Sequence, residues 1–534
     1  MRRETFFMHL SATFVYKLSN YVCFQGAYTD VILITKGMSE RLWDTFSCRI
    51  QENSNIVLMR ADSAGIWRRT TERCIFMQTL IQTLSEFGLK LQYSDLDPAT
   101  VRTAKQAVLD ACGNILNGRF HSETGPVLKY VYSRERRDLG KGYHLPADPE
   151  HVLTLRGVLF ALCAMGRVAD MDDGFSRAMG HPGSFLVPVL LTLGEENHIS
   201  GKEAIAALTA AYDIYARIGE VINPFMHRDR GFDATGVCGA VAAAFLISRL
   251  NGWSGEITEN AMGLAAGFSG GLIECQNDGT SGKYLCGAWA VMNGLQAAEL
   301  AENGLTGAKK ALEGKSGLFH GFRGSRMDDE SSVPQGLGEN FKINEVYFKR
   351  YACLRGIHAT MDAVRRLKKE HHLTAERILG IDVRASGFLM RLSRPDPQTL
   401  VAAQGSLQFG AAAVIIHDGV NSAGELMRYL KEPEMRDLMS KVTVTEDADM
   451  HAYYEQYPWR FSASRVLVTL QDGTVLEHTQ LLPEGEAQDD RFGWDTLTEK
   501  FRTLLEETPF ADSWKELEEK MRTLELSEDL QILK

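Results

Sequence analysis

The chain has 534 residues, of which 44% are hydrophobic and 24% are charged, a composition typical of a globular protein long enough for more than one domain. Acidic residues outnumber basic residues by 69 to 58, and the formal net charge is -11, so the bulk charge does not favour a nucleic-acid-binding surface. An anionic substrate would need a local cluster of cations.

Cysteine usage indicates a reducing compartment. The number of cysteines is odd and no two of them are spaced as CxxC, which argues against both a disulfide framework and a zinc site. They are Cys23, Cys48, Cys74, Cys112, Cys163, Cys238, Cys275, Cys286 and Cys353. We therefore expect a cytoplasmic protein.

The first segment, Met1–Phe76, differs from the rest of the chain. Polar and charged residues such as Lys17 and Asp30 interrupt its apolar runs, so no run approaches the roughly 20 apolar residues of a membrane span. His9 and Lys17 also break the apolar stretch that a signal peptide would need, and no small-residue cleavage site follows cleanly. We predict an N-terminal extension that does not enter a membrane, and an upstream translation start is one explanation for it.

Helical periodicity begins at Met77. Apolar residues recur at helical spacing, many with Ala and Gly on the packing face, which predicts a buried helical bundle. The predicted helices are Met77–Gly88, Ala104–Leu116, Leu153–Met165, Lys202–Val221, Gly239–Leu250, Ile257–Ala266, Ala288–Glu302 and Ala308–Leu312. Because no strand precedes Gly263, Gly267, Gly270 and Gly271, these glycines indicate close helix packing rather than a phosphate-binding loop.

The pattern changes after Phe319. The segments 378–385 and 441–445 alternate between apolar and polar residues, and 466–470 and 475–478 flank Gln471-Asp472-Gly473-Thr474, which predicts a β-hairpin. Helical periodicity returns in 495–507 and 512–524. We therefore predict a mostly α protein with a smaller α+β domain, in which residues 77–319 and 485–534 form the helical domain and residues 320–484 form the α+β domain.

An acidic cluster with one histidine follows the third predicted helix. Asp170, Asp172 and Asp173 are followed by His181 within a dozen residues. Neighbouring carboxylates raise one another's pKa and histidine titrates near neutrality, so the cluster can host proton transfer. A helix cap with a turn is the alternative. A magnesium site for a diphosphate is disfavoured, because no second acidic motif of that kind is evident.

Three further polar segments lie between apolar helices. Asp233 stands where a helix cap would stand. The loop Asn277–Gly287 contains Asp278 and a single lysine, Lys283. The segment Phe348–His358 places Lys349, Arg350, Arg355 and His358 before a predicted helix. A helix N-terminus with Lys, Arg and His is a plausible carboxylate site.

These segments, in this order, resemble the MmgE/PrpD family, which includes 2-methylcitrate dehydratase, cis-aconitate decarboxylase and iminodisuccinate epimerase. The resemblance covers Met77 to the C-terminus. It rests on the Asp-x-Asp-Asp…His-Pro-Gly segment, the Asp-Gly-Thr-x-x-Lys-x-Leu loop and the Lys-x-Tyr-x-x-x-Arg-x-x-His segment. It implies a large helical domain built from both ends of this part of the chain, an inserted α+β domain, a site in the cleft between them, a homodimer, and no metal or organic cofactor.

The resemblance also implies a reaction and a set of site residues. Proton removal or loss of carbon dioxide beside a carboxylate builds negative charge, which fixed cations stabilise. We expect a lyase, either a dehydratase or a decarboxylase, acting on a small di- or tricarboxylate. The residues expected at its reacting centre are Asp170, His181, Asp233 and Lys283, and those expected to bind substrate are Lys349, Arg355, His358, Asp173 and Asp278.

Several positions depart from the family pattern. The family often has histidine at positions 233 and 286, tyrosine at 409 and threonine at 174, where this chain has Asp233, Cys286, Phe409 and Gly174. These changes remove hydrogen-bond donors and add a carboxylate. If Asp233 faces the cleft near Asp170, the two carboxylates would tend to share a proton unless a cation intervenes. An epimerase of an amino- or imino-dicarboxylate and a non-catalytic binding protein therefore stay open as alternatives.

Overall fold

The computed structural model describes residues 78–137, 142–323, 330–487, 489 and 492–533, together with the backbone of five strands between residues 14 and 69. It divides the chain into two compact units, Met1–Gln78 and Thr79–Lys534.

The first unit contains a five-stranded sheet in the order β1-β2-β3-β4-β5. Strands β3 and β4 pair in parallel, and the other neighbouring strands pair antiparallel. The strands are β1 (Phe14–Leu18), β2 (Tyr21–Gln25), β3 (Asp30–Ile34), β4 (Val57–Ala61) and β5 (Trp67–Arg69). That Met1–Phe76 is an extension to the enzyme stays a prediction.

The second unit is predominantly helical. Its elements up to residue 323 are α1 (Leu80–Lys90), α2 (Pro98–Gly118), α3 (Gly125–Arg134), β6 (Tyr143–Leu145), β7 (Asp148–Leu153), α4 (Leu155–Val168), β8 (Gly174–Phe175), α5 (Gly183–Glu196), α6 (Gly201–Ile222), α7 (Phe225–Arg230), α8 (Ala234–Leu250), α9 (Gly255–Gly267), α10 (Glu274–Asn277), α11 (Cys286–Glu302) and α12 (Leu318–Arg323). Helix α8 is buried along its whole length, because its small residues let α9 and α11 approach it closely. The core of the unit lies around it.

Local sequence accounts for the limits of several helices. Thr79 forms a capping box with Gln82 at the start of α1, and Asp97 caps α2 immediately before Pro98. Two predictions were wrong. Helix α1 continues past Gly88 to Lys90, and residues 308–312 form turns rather than a helix, since the short apolar run there is bounded by Gly307 and Gly314.

The rest of the second unit is mixed. Its elements are β9 (Val346–Tyr347), α13 (Arg355–His371), β10 (Ile378–Ala385), α14 (Leu400–Gln404), α15 (Leu407–His417), α16 (Ala423–Tyr429), α17 (Pro433–Ser440), β11 (Val442–Glu446), α18 (Ala448–Gln456), β12 (Ser464–Leu470), β13 (Val475–Gln480), α19 (Trp494–Leu505) and α20 (Trp514–Arg522). A four-stranded sheet has the order β11-β10-β12-β13. The predicted hairpin is confirmed, because β12 and β13 pair antiparallel across residues 471–474.

The C-terminal helices lie against the first long helix. The ring of Phe501 on α19 lies so close to Gly113 on α2 that a Cβ at that position would be 2.9 Å from it, and Asn117 Nδ2 donates to the carbonyl of Leu504 (2.8 Å). The fold class, mostly α with a smaller α+β part, is confirmed. The proposed boundaries between two domains stay a prediction.

Candidate active site

The turn that follows α4 holds Asp170 in a conformation that few residues adopt. Its φ is 53°, in the left-handed region, where aspartate and asparagine are the commonest residues after glycine. The Asp170 carbonyl accepts a hydrogen bond from Lys349 Nζ (3.0 Å), and the Asp170 amide donates to the carbonyl of Arg167 (3.1 Å). A residue held in this region stores about 1–3 kcal/mol of strain, which surrounding contacts must offset.

Three cations converge on the Asp170 carboxylate. Its Oδ2 accepts from Lys283 Nζ (2.6 Å). Its Oδ1 accepts from Lys349 Nζ (2.7 Å) and from Arg167 Nη1 (2.6 Å). Burial alone would raise the pKa of Asp170, but Lys283, Lys349 and Arg167 hold it well below its usual range. Asp170 is therefore an anion that contacts three buried cations.

The second carboxylate of the cluster belongs to Asp172. Its Oδ1 accepts from Arg167 Nη1 (2.8 Å) and lies 3.9 Å from Lys349 Nζ. Burial raises the pKa of Asp172, against the effect of Arg167. Its Oδ2 has no hydrogen-bond partner among the described residues, and it lies 3.5 Å from Nδ1 of His181.

Lys283 connects this cluster to the α+β part of the unit. Besides Asp170, its Nζ contacts Oε1 of Gln404 at the end of α14 (3.0 Å). Burial lowers the pKa of Lys283 to about 8, although Asp170 acts in the opposite direction. Lys283 and Lys349 are both inaccessible to solvent, so neither presents a free ammonium to a cleft.

His181 is a neutral imidazole with a defined tautomer. Its Nδ1 lies 2.7 Å from the carbonyl oxygen of Asp173. Since a carbonyl only accepts, Nδ1 carries the proton and Nε2 carries the lone pair. Burial and the charges of Arg167 and Lys349 hold the pKa of His181 well below its usual range. The ring therefore has an unprotonated Nε2 at neutral pH.

Asp173 orients the start of α5. Its carboxylate accepts from the Gly183 amide (2.8 Å) and from the hydroxyl of Tyr212 (2.7 Å). Burial raises the pKa of Asp173 to about 7. In this structure the Asp173 side chain supports the loop that carries His181, rather than facing a cleft.

A cleft opens beside His181 and Arg167. Its wall contains cations, two imidazoles, one carboxylate and apolar side chains. The lining residues are Arg167, Ser176, Met179, His181, His227, Asp233, Gln276, Asn277, Tyr347, Leu354, Arg355, Gly356, Leu389, Arg391, Leu392, Arg394 and Phe461. They come from helical and α+β segments of the second unit, so the cleft is assembled from distant parts of the sequence.

Arginine supplies the cations of this wall. Arg355 donates to Glu486 Oε1 (2.7 Å) and to the carbonyl of Glu484 (2.9 Å), and its guanidinium lies 4.4 Å from the centre of the Tyr347 ring. Arg391 follows Phe388 and lies 4.1 Å from the centre of its ring. Arg391 is an exposed residue, but the protein atoms around its guanidinium lower its pKa to about 10 by desolvation, and the neighbouring Arg394 charge acts in the same direction.

Asp233 is both a helix cap and part of the cleft. Its Oδ1 accepts from the Thr235 amide (2.8 Å) at the start of α8, which confirms the capping role, and its Oδ2 is 3.3 Å from Gln276 Nε2. Arg167 interacts with the charges of both Asp233 and Asp170. One cation therefore acts on both carboxylates.

Two other predicted site residues lie away from this wall. Asp278 is exposed at the end of α10. His358 is fully buried in α13, where its Nε2 lies 3.2 Å from the carbonyl of Cys353. The structure thus brings together Asp170, His181, Lys283 and Lys349, and places Asp233 and Arg355 on the adjoining wall. The catalytic and binding roles of all these residues stay predictions.

Four basic residues of the cleft were not predicted from the sequence. Arg167 ends an apolar helix and resembles an ordinary basic C-terminal residue, although its position three residues before Asp170 was a usable signal. His227, Arg391 and Arg394 stand in no motif, so only the tertiary structure reveals them. Burial lowers the pKa of His227 to about 4, Arg391 acts in the same direction and Asp233 opposes both.

The departure at position 174 has a steric explanation. A Cβ at Gly174 would lie 2.3 Å from the hydroxyl oxygen of Tyr347, and Tyr347 pairs with Gly174 between strands β9 and β8. The tyrosine side chain therefore fills the room that a threonine would need. Phe409, at the position where the family often has tyrosine, is completely buried in α15.

Two other kinds of site are not found among the described residues. Within the described ranges, no group of three or more His, Cys, Asp or Glu side chains is arranged to hold a metal ion. Among the helices of those ranges, none has the length and apolar character needed to cross a membrane.

Comparison with known families agrees with this architecture. The MmgE/PrpD N-terminal domain matches residues 82–330, and the MmgE/PrpD C-terminal domain matches residues 351–526. Together these matches cover most of the chain. The chain belongs to the MmgE/PrpD family.

The similar characterised proteins are decarboxylases and dehydratases. A cis-aconitate decarboxylase-like protein, oryM of Aspergillus oryzae, is 25% identical over 84% of this chain and 95% of its own length. Cis-aconitate decarboxylase of Aspergillus terreus is 25% identical over 68% of this chain and 77% of its own length. 2-Methylcitrate dehydratase of Cupriavidus necator is 25% identical over 65% of this chain and 74% of its own length.

Proposed function

We propose that this protein is a lyase, a dehydratase or decarboxylase, that acts on a small di- or tricarboxylate by proton transfer next to a carboxylate. The observation that carries the proposal is the tautomer of His181. Its Nδ1 proton is committed to the Asp173 carbonyl, so Nε2 is available as a base on the wall of an arginine-lined cleft.

The charges around His181 suit this chemistry. Removal of a proton beside a carboxylate, or loss of carbon dioxide from one, leaves an electron pair and negative charge on a carbon of the substrate. If all groups are ionised, the buried cluster has three cations (Arg167, Lys283, Lys349) and two anions (Asp170, Asp172), hence a net charge of 3 − 2 = +1. Because the cluster is preorganised and dry, this charge stabilises a developing anion more than water would.

The residues then have distinct roles. His181 takes or returns the proton, and Arg167 faces the substrate with its charge. Asp170 positions Lys283 and Lys349, whose fields reach the cleft although their ammonium groups do not line it. Arg355 contributes a further cation on the cleft wall. The names of the relatives, which specify cis-aconitate and 2-methylcitrate, support a tricarboxylate as the substrate class.

One observation favours a second candidate, an epimerase of an amino- or imino-dicarboxylate. The Asp233 carboxylate lines the cleft, where it could receive a cationic nitrogen. Both of its oxygens already accept hydrogen bonds from the protein, and for this reason we rank the epimerase second.

We also propose a homodimer. An exposed aromatic group supports it: Trp289 is 55% exposed and packs edge-on against Phe160 (5.5 Å between ring centres), which in turn contacts Tyr130 (5.8 Å). Exposed apolar patches of this kind mark association surfaces. Sedimentation velocity tests the assignment, and a single monomer species at micromolar concentration would contradict it.

The function is tested by incubating the full chain with a panel of di- and tricarboxylates, including cis-aconitate and 2-methylcitrate. Release of carbon dioxide and appearance of an alkene are followed together. We expect at least one acid to lose carbon dioxide or water, and the His181→Gln variant to lose that turnover. If no acid in the panel loses either carbon dioxide or water, the proposal is contradicted.

A further inference from the structure

The cleft contains four arginines, but they are not equally available to a ligand. Arg167 is occupied by Asp170 and Asp172, at 2.6 and 2.8 Å. Arg355 is occupied by Glu486 at 2.7 Å. A substrate carboxylate would have to compete with these internal partners, so neither arginine is a free anion site.

Arg391 and Arg394 differ from the other two. Within the described part of the chain, neither guanidinium contacts a carboxylate. Arg391 lies over the Phe388 ring, and Arg394 Nη2 donates to the neutral carbonyl of Gln276 (2.8 Å). Arg394 Nη1 is buried and has no hydrogen-bond partner among the described residues. A buried guanidinium nitrogen without a partner is costly unless a ligand completes it.

The backbone that carries Arg394 is firmly held. Its amide donates to Oε1 of Gln408 (2.8 Å), and its carbonyl accepts from the Ser406 hydroxyl (2.6 Å). Both partners lie at the start of α15, which is part of the core. The backbone therefore loses little conformational entropy when this arginine binds an anion, and the hydrogen bond from Nη2 to the Gln276 carbonyl already restricts the side chain. Preorganised sites bind more tightly for that reason.

The single carboxylate on the cleft wall does not neutralise this pair. Asp233 is already engaged with the Thr235 amide and Gln276. Gln276 links the two regions, because its side chain contacts Asp233 while its carbonyl receives Arg394. Two uncompensated positive charges in a concave, partly apolar wall are the features of a site for an anionic group.

We propose that Arg391 and Arg394 form a specificity site that binds a carboxylate of the substrate other than the one next to the reacting carbon. This inference rests on the proposed function and deepens it, because it assigns the two residues that bind the second carboxylate of a di- or tricarboxylate. Leu389 and Leu392 flank the pair on the same cleft wall, so the carbon chain between the carboxylates passes apolar side chains. A monocarboxylate cannot occupy this site and the reacting centre at the same time, so it binds weakly.

The test measures binding of unreactive acids to the full-length protein by calorimetry. The probes are propane-1,2,3-tricarboxylate, glutarate and butyrate. The variants are Arg391→Met, Arg394→Met and the conservative Arg391→Lys, with Arg384→Met as the matched control, since Arg384 is 40% exposed on β10 and pairs with Asp382. Melting temperatures verify that each variant is folded.

We expect the tricarboxylate to bind the wild type at least tenfold more tightly than butyrate. Arg391→Met and Arg394→Met should each weaken tricarboxylate binding by about tenfold or more, the size of a lost charge-assisted hydrogen bond. Butyrate binding should change little, and Arg391→Lys should recover part of the loss. For any acid that is turned over, KM should rise more than kcat falls.

The inference is overturned if both methionine variants keep wild-type affinity, if they weaken butyrate as much as the tricarboxylate, or if the wild type binds none of the probes. These outcomes do not depend on turnover. A protein that binds the tricarboxylate through both arginines but eliminates nothing would contradict the lyase proposal alone.

Discussion

Nζ of Lys283 lies 2.6 Å from Oδ2 of Asp170, and neither side chain is accessible to solvent. The lysine therefore neutralises an internal carboxylate instead of facing the cleft. A buried charge without a partner is strongly destabilising. Removal of either charge should therefore lower the free energy of unfolding of the protein. The centre is consequently part of the stability of the fold as well as of its chemistry.

Replacement of Asp170 by asparagine tests this coupling. Asparagine tolerates the positive φ of this residue, so the variant removes the charge while keeping the backbone. Arg167, Lys283 and Lys349 would then face Asp172 alone. We expect the free energy of unfolding in urea to fall by about 3–5 kcal/mol, and the additional substitution Lys283→Met to recover part of that loss.

Asp418→Asn is a matched control. Asp418 also has a positive φ, of 65°, but its side chain is 78% exposed and pairs with Lys368 at the surface. The change there should stay within about 1 kcal/mol. If both substitutions lowered the free energy of unfolding equally, the buried network would stabilise the protein no more than a surface ion pair does.

His181→Gln should lower kcat by about 100-fold or more, since a positioned general base contributes that much. The melting temperature should change little, because the side chain lies at the cleft wall. His198→Gln serves as the control, as His198 is 77% exposed. A variant at position 181 that retains wild-type kcat would remove His181 from the proton transfer.

The rate should fall as pH rises above about 8, because burial lowers the pKa of Lys283 to about 8 and its charge supports the reacting centre. Stability should respond in the opposite direction. The unfolded lysine has a pKa of about 10.4, so the folded protein releases this proton first, and over the interval between the two values the contribution of Lys283 to the free energy of unfolding rises with pH.

Profiles of kcat/KM and of melting temperature against pH separate the two effects. Activity should be lost in this interval without a matching loss of stability from this group. Lys283→Arg keeps its charge and should extend the active range to higher pH, provided that it folds. A rate that stays constant across the interval in the wild type would contradict the role of the Lys283 charge.

Asp233 variants distinguish recognition from capping. Asparagine can also cap a helix, so Asp233→Asn should leave α8 intact. If the carboxylate receives a cationic nitrogen, the variant weakens binding of amino-dicarboxylates by about tenfold or more and leaves citrate-like acids unaffected. Asp233→His should then shift preference towards citrate-like acids. Unchanged ligand preference in both variants, with only stability altered, would leave Asp233 as a helix cap.

Much of this centre was predicted from the sequence, but the arginines that contact no carboxylate among the described residues were not. Asp170, His181, Lys283 and Lys349 stand in ordered motifs, and the structure places them together. Neither composition nor spacing indicates that both lysines donate hydrogen bonds to the Asp170 carboxylate. This arrangement depends on the left-handed turn after α4. Arg391 and Arg394 lie far along the chain in a segment without a motif, and only the packing of that segment against the helical part places them in the cleft.

Proton NMR of turnover in heavy water tests the central claim most directly. The full chain is incubated with each di- or tricarboxylate that raises its melting temperature, since a ligand that binds the folded state stabilises it. Our account predicts one of two outcomes: loss of carbon dioxide, with deuterium entering the product at the carbon that is then protonated, or loss of water, with an alkene formed and no deuterium added to it. In either case His181→Gln should abolish the reaction. Deuterium exchange into unchanged or inverted substrate, with no carbon dioxide or alkene formed, would contradict the lyase and identify an epimerase instead.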